Sequence, residues 1–370
     1  MTTSVPFFPP DLFGDDKAVA IDIIRAAGTG SKQRFILGDA VLRLEQRIAQ
    51  DTGAQHAIAV GSGTGALIVA VHALGIGPGD EVVVPAFSCQ PVASVVANRG
   101  GIPVFADIDP RTLVLDPERT EQAVTERTVA AMPAHVFSMM ADMPAFREIA
   151  ARNDIRLIED AAVAQGARLG GRAAGRWGDL GAFSFFQVKA LGAIGEGGII
   201  LTDDEELADR CRALRNHGQR RRFVHEEIGY NNRMDEVLAD FLVHRISQLQ
   251  RRLDRRADIA AFYTERFEPL SERGLIPPPS GRDGRCYYVY AVLTDQRDDL
   301  RRHLSDHGIE THVYYPLPLP SQPAFARFGR GRRFPNAEAA GRRNLALPIW
   351  PELTDGDVEH VVDAVLEFFR

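Results

Sequence analysis

Ile155-Arg156-Leu157-Ile158-Glu159-Asp160 is a short apolar run closed by two carboxylates. Its length and composition fit a buried strand better than a helix. Similar runs stand on either side: Val82-Val83-Val84-Pro85 after a Gly77-Pro78-Gly79-Asp80 turn, Pro103 to Asp107, Ala130 to His135, Ala182 to Phe185, and Gly198-Ile199-Ile200-Leu201-Thr202. Helical patterns fill the gaps over 64–74, 89–98 and 142–152. The alternation from about residue 55 to 202 predicts a doubly wound α/β domain with a mainly parallel sheet flanked by helices. Beyond it, one long amphipathic helix is expected over 234–269, Pro277-Pro278-Pro279 marks a linker, and Tyr287 to Val292 alternates as a strand. Helices over 336–345 and 355–369 close the chain. The division expected is a large domain over 1–245, with the N-terminal segment, and a smaller α+β domain over 246–370.

The composition excludes several classes. Of 370 residues, 45% are apolar and 25% charged, as in ordinary globular proteins. A net charge of −7 argues against general nucleic-acid binding, which needs basic excess. Cys89, Cys211 and Cys286 are too scattered for a disulfide framework or a metal site, so no metal is expected. No apolar stretch is long enough to span a bilayer. Met1 to Pro10 lacks a charged segment leading into an apolar one, so no secretion signal is read and a reducing cytoplasm is the default.

Of the 43 basic residues only Lys17, Lys32 and Lys189 are lysine. The first two lie in polar, Gly-rich surroundings. Lys189 lies in an aromatic and apolar run broken by glycines, from Gly181 to Gly198. A buried ammonium is costly, and lysine is placed in such a run when its amine is needed as a nucleophile. A lysine snorkelling from a strand end accounts for the local composition equally well.

Three further pieces surround it. Gly61-Ser62-Gly63-Thr64-Gly65 enters a helix whose first amides can hold a phosphate, although its spacing fits neither the dinucleotide fingerprint nor the Walker motif. Asp160 ends a strand where open α/β sheets place ligand-binding groups, and a carboxylate there can keep a pyridine nitrogen protonated. It is equally suited to cap a helix. Gly229 to Glu236, with Asn231, precedes the long helix.

In this order the pieces resemble the sugar aminotransferases of the DegT/DnrJ/EryC1/StrS family, within the fold-type I enzymes that use pyridoxal 5′-phosphate (PLP). The resemblance spans nearly the whole chain, from Phe35-Ile36-Leu37-Gly38 through Arg215-Asn216-His217-Gly218 to Val313-Tyr314-Tyr315-Pro316 and Leu345-Ala346-Leu347-Pro348. It implies a seven-stranded sheet and a PLP/PMP cofactor held on Lys189 as a Schiff base. Asp160 is then the partner of the ring nitrogen, and Ala162 packs on the ring. Gly63, Thr64 and Ser184 hold the phosphate, and Asn231 reaches the phosphate of a neighbouring subunit in a homodimer with shared sites. Three positions depart from the family pattern. Cys89 stands where an aromatic residue usually stacks, Val163 where a glutamine usually sits with Gln165 close by as a substitute, and Pro320 where histidine is usual.

The activity implied is transfer of an amino group from an amino acid, glutamate foremost, to a nucleotide-linked keto-deoxy sugar, 4-keto favoured over 3-keto. Its place is amino-sugar synthesis for a natural product or a surface glycan. Arg34, Phe35, His217, His312 and Tyr314 are the substrate candidates. The rival readings are a keto-cyclitol aminotransferase, a PMP-dependent sugar dehydratase (which carries histidine at the lysine position), and a non-catalytic regulatory or scaffold protein that kept the fold.

Overall fold

The computed structural model describes residues 4–29 and 34–370, so Lys32 lies outside the described residues. Seven strands form the central sheet: β1 (His56–Val60), β2 (Glu81–Pro85), β3 (Ile102–Ala106), β4 (Thr128–Ala131), β5 (Arg156–Asp160), β6 (Leu180–Ser184) and β7 (Gly198–Thr202). Their order is β1-β7-β6-β5-β4-β2-β3. Only β7 runs against the rest, pairing antiparallel with both β1 and β6. Strands β2, β6 and β7 are buried along their whole length, as expected of a sheet covered by helices on both faces.

The reversed strand has a local consequence. Gly198 lies opposite both Val60 and Ser184, so the ends of β1 and β6 meet at one residue. The helix that follows β1, Gly63–Ala73, therefore starts beside Ser184. Only glycine fits at Gly198, because a Cβ there would lie 2.4 Å from the Ser62 carbonyl oxygen.

Three expected elements are shorter than the sequence suggests. The strand read over Ala130 to His135 ends at Ala131, since Pro133 has no N–H for the ladder, and Ala134 keeps only a single bridge to Asp160. The helix read over 234–269 is two helices, Glu236–Ile246 and Leu249–Phe267. Between them the Ser247 hydroxyl donates back to the His244 carbonyl at 2.8 Å, a bond that competes with the helix ladder. The strand read from Tyr287 begins only at Tyr290, because Tyr287 has φ +44° and cannot extend it.

A second hydrophobic cluster lies C-terminal to the sheet. Strands β8 (Tyr290–Leu293) and β9 (Asn344–Leu347) pair antiparallel. The helices Leu249–Phe267, Arg297–Asp306 and Asp355–Phe368 pack around them through Tyr263, Phe267, Leu300, Leu304, Val361 and Val365. Val5 belongs to this cluster and bridges Ile309, although the sequence reading grouped it with the sheet.

Candidate active site

A cleft of about 620 Å³ opens at the C-terminal ends of the parallel strands, the place where such sheets bind ligands. Gly63, Thr64, Cys89, Asp160, Ala162, Val163, Ser184, Lys189 and Tyr314 all line it.

At one end the helix Gly63–Ala73 starts. Ser62 caps it, its hydroxyl oxygen accepting from the Gly65 N–H at 2.9 Å. The amides of Gly63 and Thr64 have no partner within the helix and stand at the positive end of its dipole. Asn232 steadies the turn, its backbone and side-chain oxygens both accepting from the Gly61 N–H at 3.2 and 3.1 Å. Gly63 is pressed against Ser184: a Cβ at Gly63 would lie 2.5 Å from the Ser184 Cβ. This is a small concave cradle of amides and one hydroxyl, suited to a phosphate.

Asp160, the last residue of β5, lies in the cleft wall and is buried. Its Oδ1 accepts from the Ala162 N–H at 3.1 Å. Burial pushes its carboxyl above the usual carboxylate range, against the pull of that N–H, His135 and Lys189. A carboxylate so placed calls for a cation, and a protonated ring nitrogen supplies one.

Lys189 sits in the turn after β6, where its N–H donates to the Phe186 carbonyl at 2.8 Å. Its Nζ lies over the Tyr288 ring, 4.3 Å from the centroid. Desolvation lowers its pKa below the ordinary lysine value, while Cys89 and Asp160 pull the other way. Snorkelling is excluded as a description, since the amine points at an aromatic face inside the cleft. The carboxylate, the amine and the phosphate cradle thus share one cavity, and that arrangement fits PLP.

Cys89 opens onto the cleft, and desolvation raises its thiol, with Asp160 adding to the effect. It is a protonated sulfur beside the amine rather than a second nucleophile. Gln165 does not substitute at Val163. It is buried in the wall, and its amide bridges the Ala162 carbonyl at 3.1 Å and the Ser184 carbonyl. It joins the residues after β5 to the end of β6 and does not line the cleft.

Among the cleft residues that the sequence reading did not single out are His135, Phe137 and Tyr288. His135 follows the C-terminal end of a parallel strand, and that position was a usable signal. Its Nδ1 accepts from the Ala141 N–H at 3.1 Å, so the ring proton lies on Nε2, which donates to Glu159 at 2.7 Å. Glu159 also accepts from the Gly175 and Trp177 N–H groups at 2.7 Å each.

The remaining candidates lie elsewhere. His312 stacks between Phe7 and Tyr314, one residue removed from the cleft, and burial lowers its imidazole pKa. Arg34, Phe35, His217 and Asn231 do not line the cleft of their own chain. Asn231 bridges Asn216, His217 donates its N–H to the Tyr230 carbonyl, and the Phe35 carbonyl accepts from Glu236. Arg34 Nη1 donates to the Leu37 carbonyl at 3.3 Å.

The description "DegT/DnrJ/EryC1/StrS aminotransferase family" matches residues 21–366. The chain belongs to this family. Its cofactor is PLP, with PMP as the amino form, and its activity is that of an aminotransferase. Within the DegT/DnrJ/EryC1/StrS family, a protein from Geobacillus stearothermophilus named a pleiotropic regulatory protein is 43% identical over 91% of each chain. A dTDP-3-amino-3,4,6-trideoxy-alpha-D-glucose transaminase from Streptomyces venezuelae is 39% identical over 90% of this chain and 88% of its own. The structure of NtdA from Bacillus subtilis with bound PMP superposes with a TM-score of 0.92 at 28% identity, covering 100% of this chain and 86% of that one. No helix among the described residues is long and apolar enough to cross a membrane.

Proposed function

We propose that this chain moves an amino group from an amino acid, L-glutamate foremost, to the keto carbon of a nucleotide-linked deoxy sugar. The observation that carries the reading is the convergence of Lys189, Asp160 and the Gly63–Ser184 cradle on one cleft. When bound, PLP supplies an electron sink that makes a donor Cα–H acidic. The amides of Gly63 and Thr64 and the Ser184 hydroxyl hold the phosphate. Asp160 keeps a proton on the ring nitrogen. Lys189, with its lowered pKa, spends more time as a free amine. That amine would hold the cofactor through its aldehyde and would move a proton at the donor Cα. Ala162 and Val163 offer apolar contact to the ring, and Cys89 takes the stacking position. Tyr288, Tyr314 and Phe137 wall the cleft against water.

The amino-sugar transaminase from S. venezuelae supports a dTDP sugar and amination at C3, beside the 4-keto sugar favoured from sequence. Retention of the lysine, aspartate and serine favours chemistry over a purely regulatory role. The active form is a homodimer. Phe35 (66% exposed) and Ile228 (89%) leave large apolar surface uncovered, with Ile21, Ile24 and Leu42 exposed as well. A second copy related by a two-fold axis covers this face and brings Asn231, Arg34, Phe35 and His217 to the partner's cleft. Residues 1–245 form the cofactor domain and 246–370 the smaller one, with Val5 packed on the latter. The enzyme works in the cytoplasm, where its three free thiols stay reduced.

The test is the reverse reaction with 2-oxoglutarate on dTDP- and UDP-linked 3-amino and 4-amino sugars, free amino sugars and amino-cyclitols. Turnover of the nucleotide-linked 3-amino sugars is expected. Turnover confined to cyclitols or free sugars would overturn the substrate class, and no turnover of any amino compound would overturn the enzyme reading.

A further inference from the structure

We propose that the C-terminal helices carry a divalent-cation site of the zinc class, formed by His303, His307 and Glu367. Among the described residues this is the one grouping in which three metal-ligating side chains converge, their ligand atoms all within 4.8 Å of one another. The sequence reading expected no metal because it weighed cysteines alone.

The geometry follows from the fold. His303 lies in the helix Arg297–Asp306, and His307 follows four residues later at its C-cap. That spacing sets both rings on one side, as in helical metal sites with two histidines one turn apart. The ring centroids are 4.3 Å apart. Glu367 comes from the helix Asp355–Phe368, which packs against the first. His307 Nε2 lies 3.6 Å from Glu367 Oε2. Two ligands on tetrahedral zinc, with bonds of about 2.0–2.1 Å, stand roughly 3.4 Å apart. This pair already has nearly that bite, and the exposed Glu367 side chain is free to rotate the remaining distance.

The backbone fixes the tautomers. His307 Nδ1 lies 2.9 Å from the His303 carbonyl and His303 Nε2 lies 3.0 Å from the Ala364 carbonyl. Carbonyls only accept, so both nitrogens carry the proton. The lone pairs are thereby assigned to His307 Nε2 and His303 Nδ1. A ring N–H held by a backbone carbonyl is the outer arrangement of metal-binding imidazoles. His360 Nε2 donates to the His307 carbonyl at 2.9 Å and pins the turn to the same partner helix. Two imidazoles and one carboxylate suit zinc over magnesium or calcium, which take oxygen ligands. Water completes the set on the exposed side.

The ion would clasp two helices of the second hydrophobic cluster. Neither helix contributes a residue to the cleft. The effect is therefore on stability, with catalysis untouched. The experiment uses the tag-free, PLP-loaded chain, stripped with chelator and titrated with Zn(II). Bound metal is measured after gel filtration, and melting temperature at each zinc level. A single ion per chain and a Tm that climbs with zinc are expected. Glu367→Gln and His307→Gln should each weaken binding by more than the roughly 10–100-fold that loss of an outer partner costs, with transaminase activity unchanged. Glu367 is exposed, so its variant folds whatever becomes of the other. Equal zinc uptake and equal Tm response in wild type and Glu367→Gln would overturn the proposal, as would the lack of stoichiometric uptake in wild type. Co(II) gives a second readout: intense visible bands in wild type and not in the variants support a tetrahedral nitrogen–oxygen site, and identical spectra refute it.

Discussion

Asp160→Asn separates the two jobs of a buried carboxylate. The side chain is 6% exposed and accepts one hydrogen bond, from Ala162. Asparagine has nearly the same shape, and its amide oxygen keeps that bond. Its NH₂ group can donate to a ring nitrogen but cannot hold a proton there. A hydrogen bond to a charged group contributes about 1.5–3 kcal/mol net. At about 1.4 kcal/mol per decade, the proton-transfer half-reaction with glutamate should slow by about 10- to 150-fold. Without cofactor the effect on folding has the opposite sense. Burial raises the Asp160 pKa above its ordinary 3.8, so the folded chain binds this proton more tightly than the unfolded chain. The group therefore subtracts stability as pH rises from 3.8 through the raised value. Asparagine removes that slope, and the cofactor-free variant should melt no lower than wild type at neutral pH. Single-turnover absorbance with glutamate and melting curves across pH give both numbers. Wild-type turnover would sink the ring-nitrogen role, and a large loss of stability in the cofactor-free variant would return Asp160 to the part of a structural cap.

Gly63→Ala drives a methyl to within 2.5 Å of the Ser184 Cβ, an overlap that overpacking typically charges at about 1–3 kcal/mol. PLP affinity should fall by about 5- to 150-fold in a titration of the apo-protein, and an unchanged Kd would show that the cradle is not the phosphate site. Mixing Asn231→Ala with Lys189→Ala chains should restore one working site per mixed dimer, measured as activity regained after subunit exchange. No recovery in a demonstrated heterodimer would refute shared sites.

Much of this architecture was legible. Gly198–Thr202 and the strands ending at Asp160 and Ser184 stand where apolar runs placed them, because fully buried strands leave a plain signal. What blurred the ends was local: Pro133 stopping a ladder, Ser247 breaking a helix, Tyr287 in a left-handed turn. In the site, Lys189 and Asp160 were readable because a charge in an apolar run is anomalous. His135 carried only a positional signal, at the end of a parallel strand, and its bond to the buried Glu159 is visible only in the structure. Gln165 misled for the converse reason, as nearness in sequence does not reveal that its amide turns inward to join two strands. In the His303–His307–Glu367 grouping the two histidines one turn apart are a local pattern, and the carboxylate sixty residues on is joined to them only by the fold.

The near-absence of lysine has a kinetic meaning. An aldehyde condenses with any accessible free amine, and a protein studded with lysines offers many competing sinks. Guanidinium groups stay protonated and take no part. Besides the chain's own α-amino group, the described residues offer an aldehyde two amines. Lys17 is paired with Asp11 at 2.7 Å on the surface, while Lys189 is desolvated toward its neutral form. Arginine in place of lysine keeps the surface charged without diverting the reagent, so the cofactor is partitioned to its pocket by the scarcity of rivals as well as by the fit of the pocket itself.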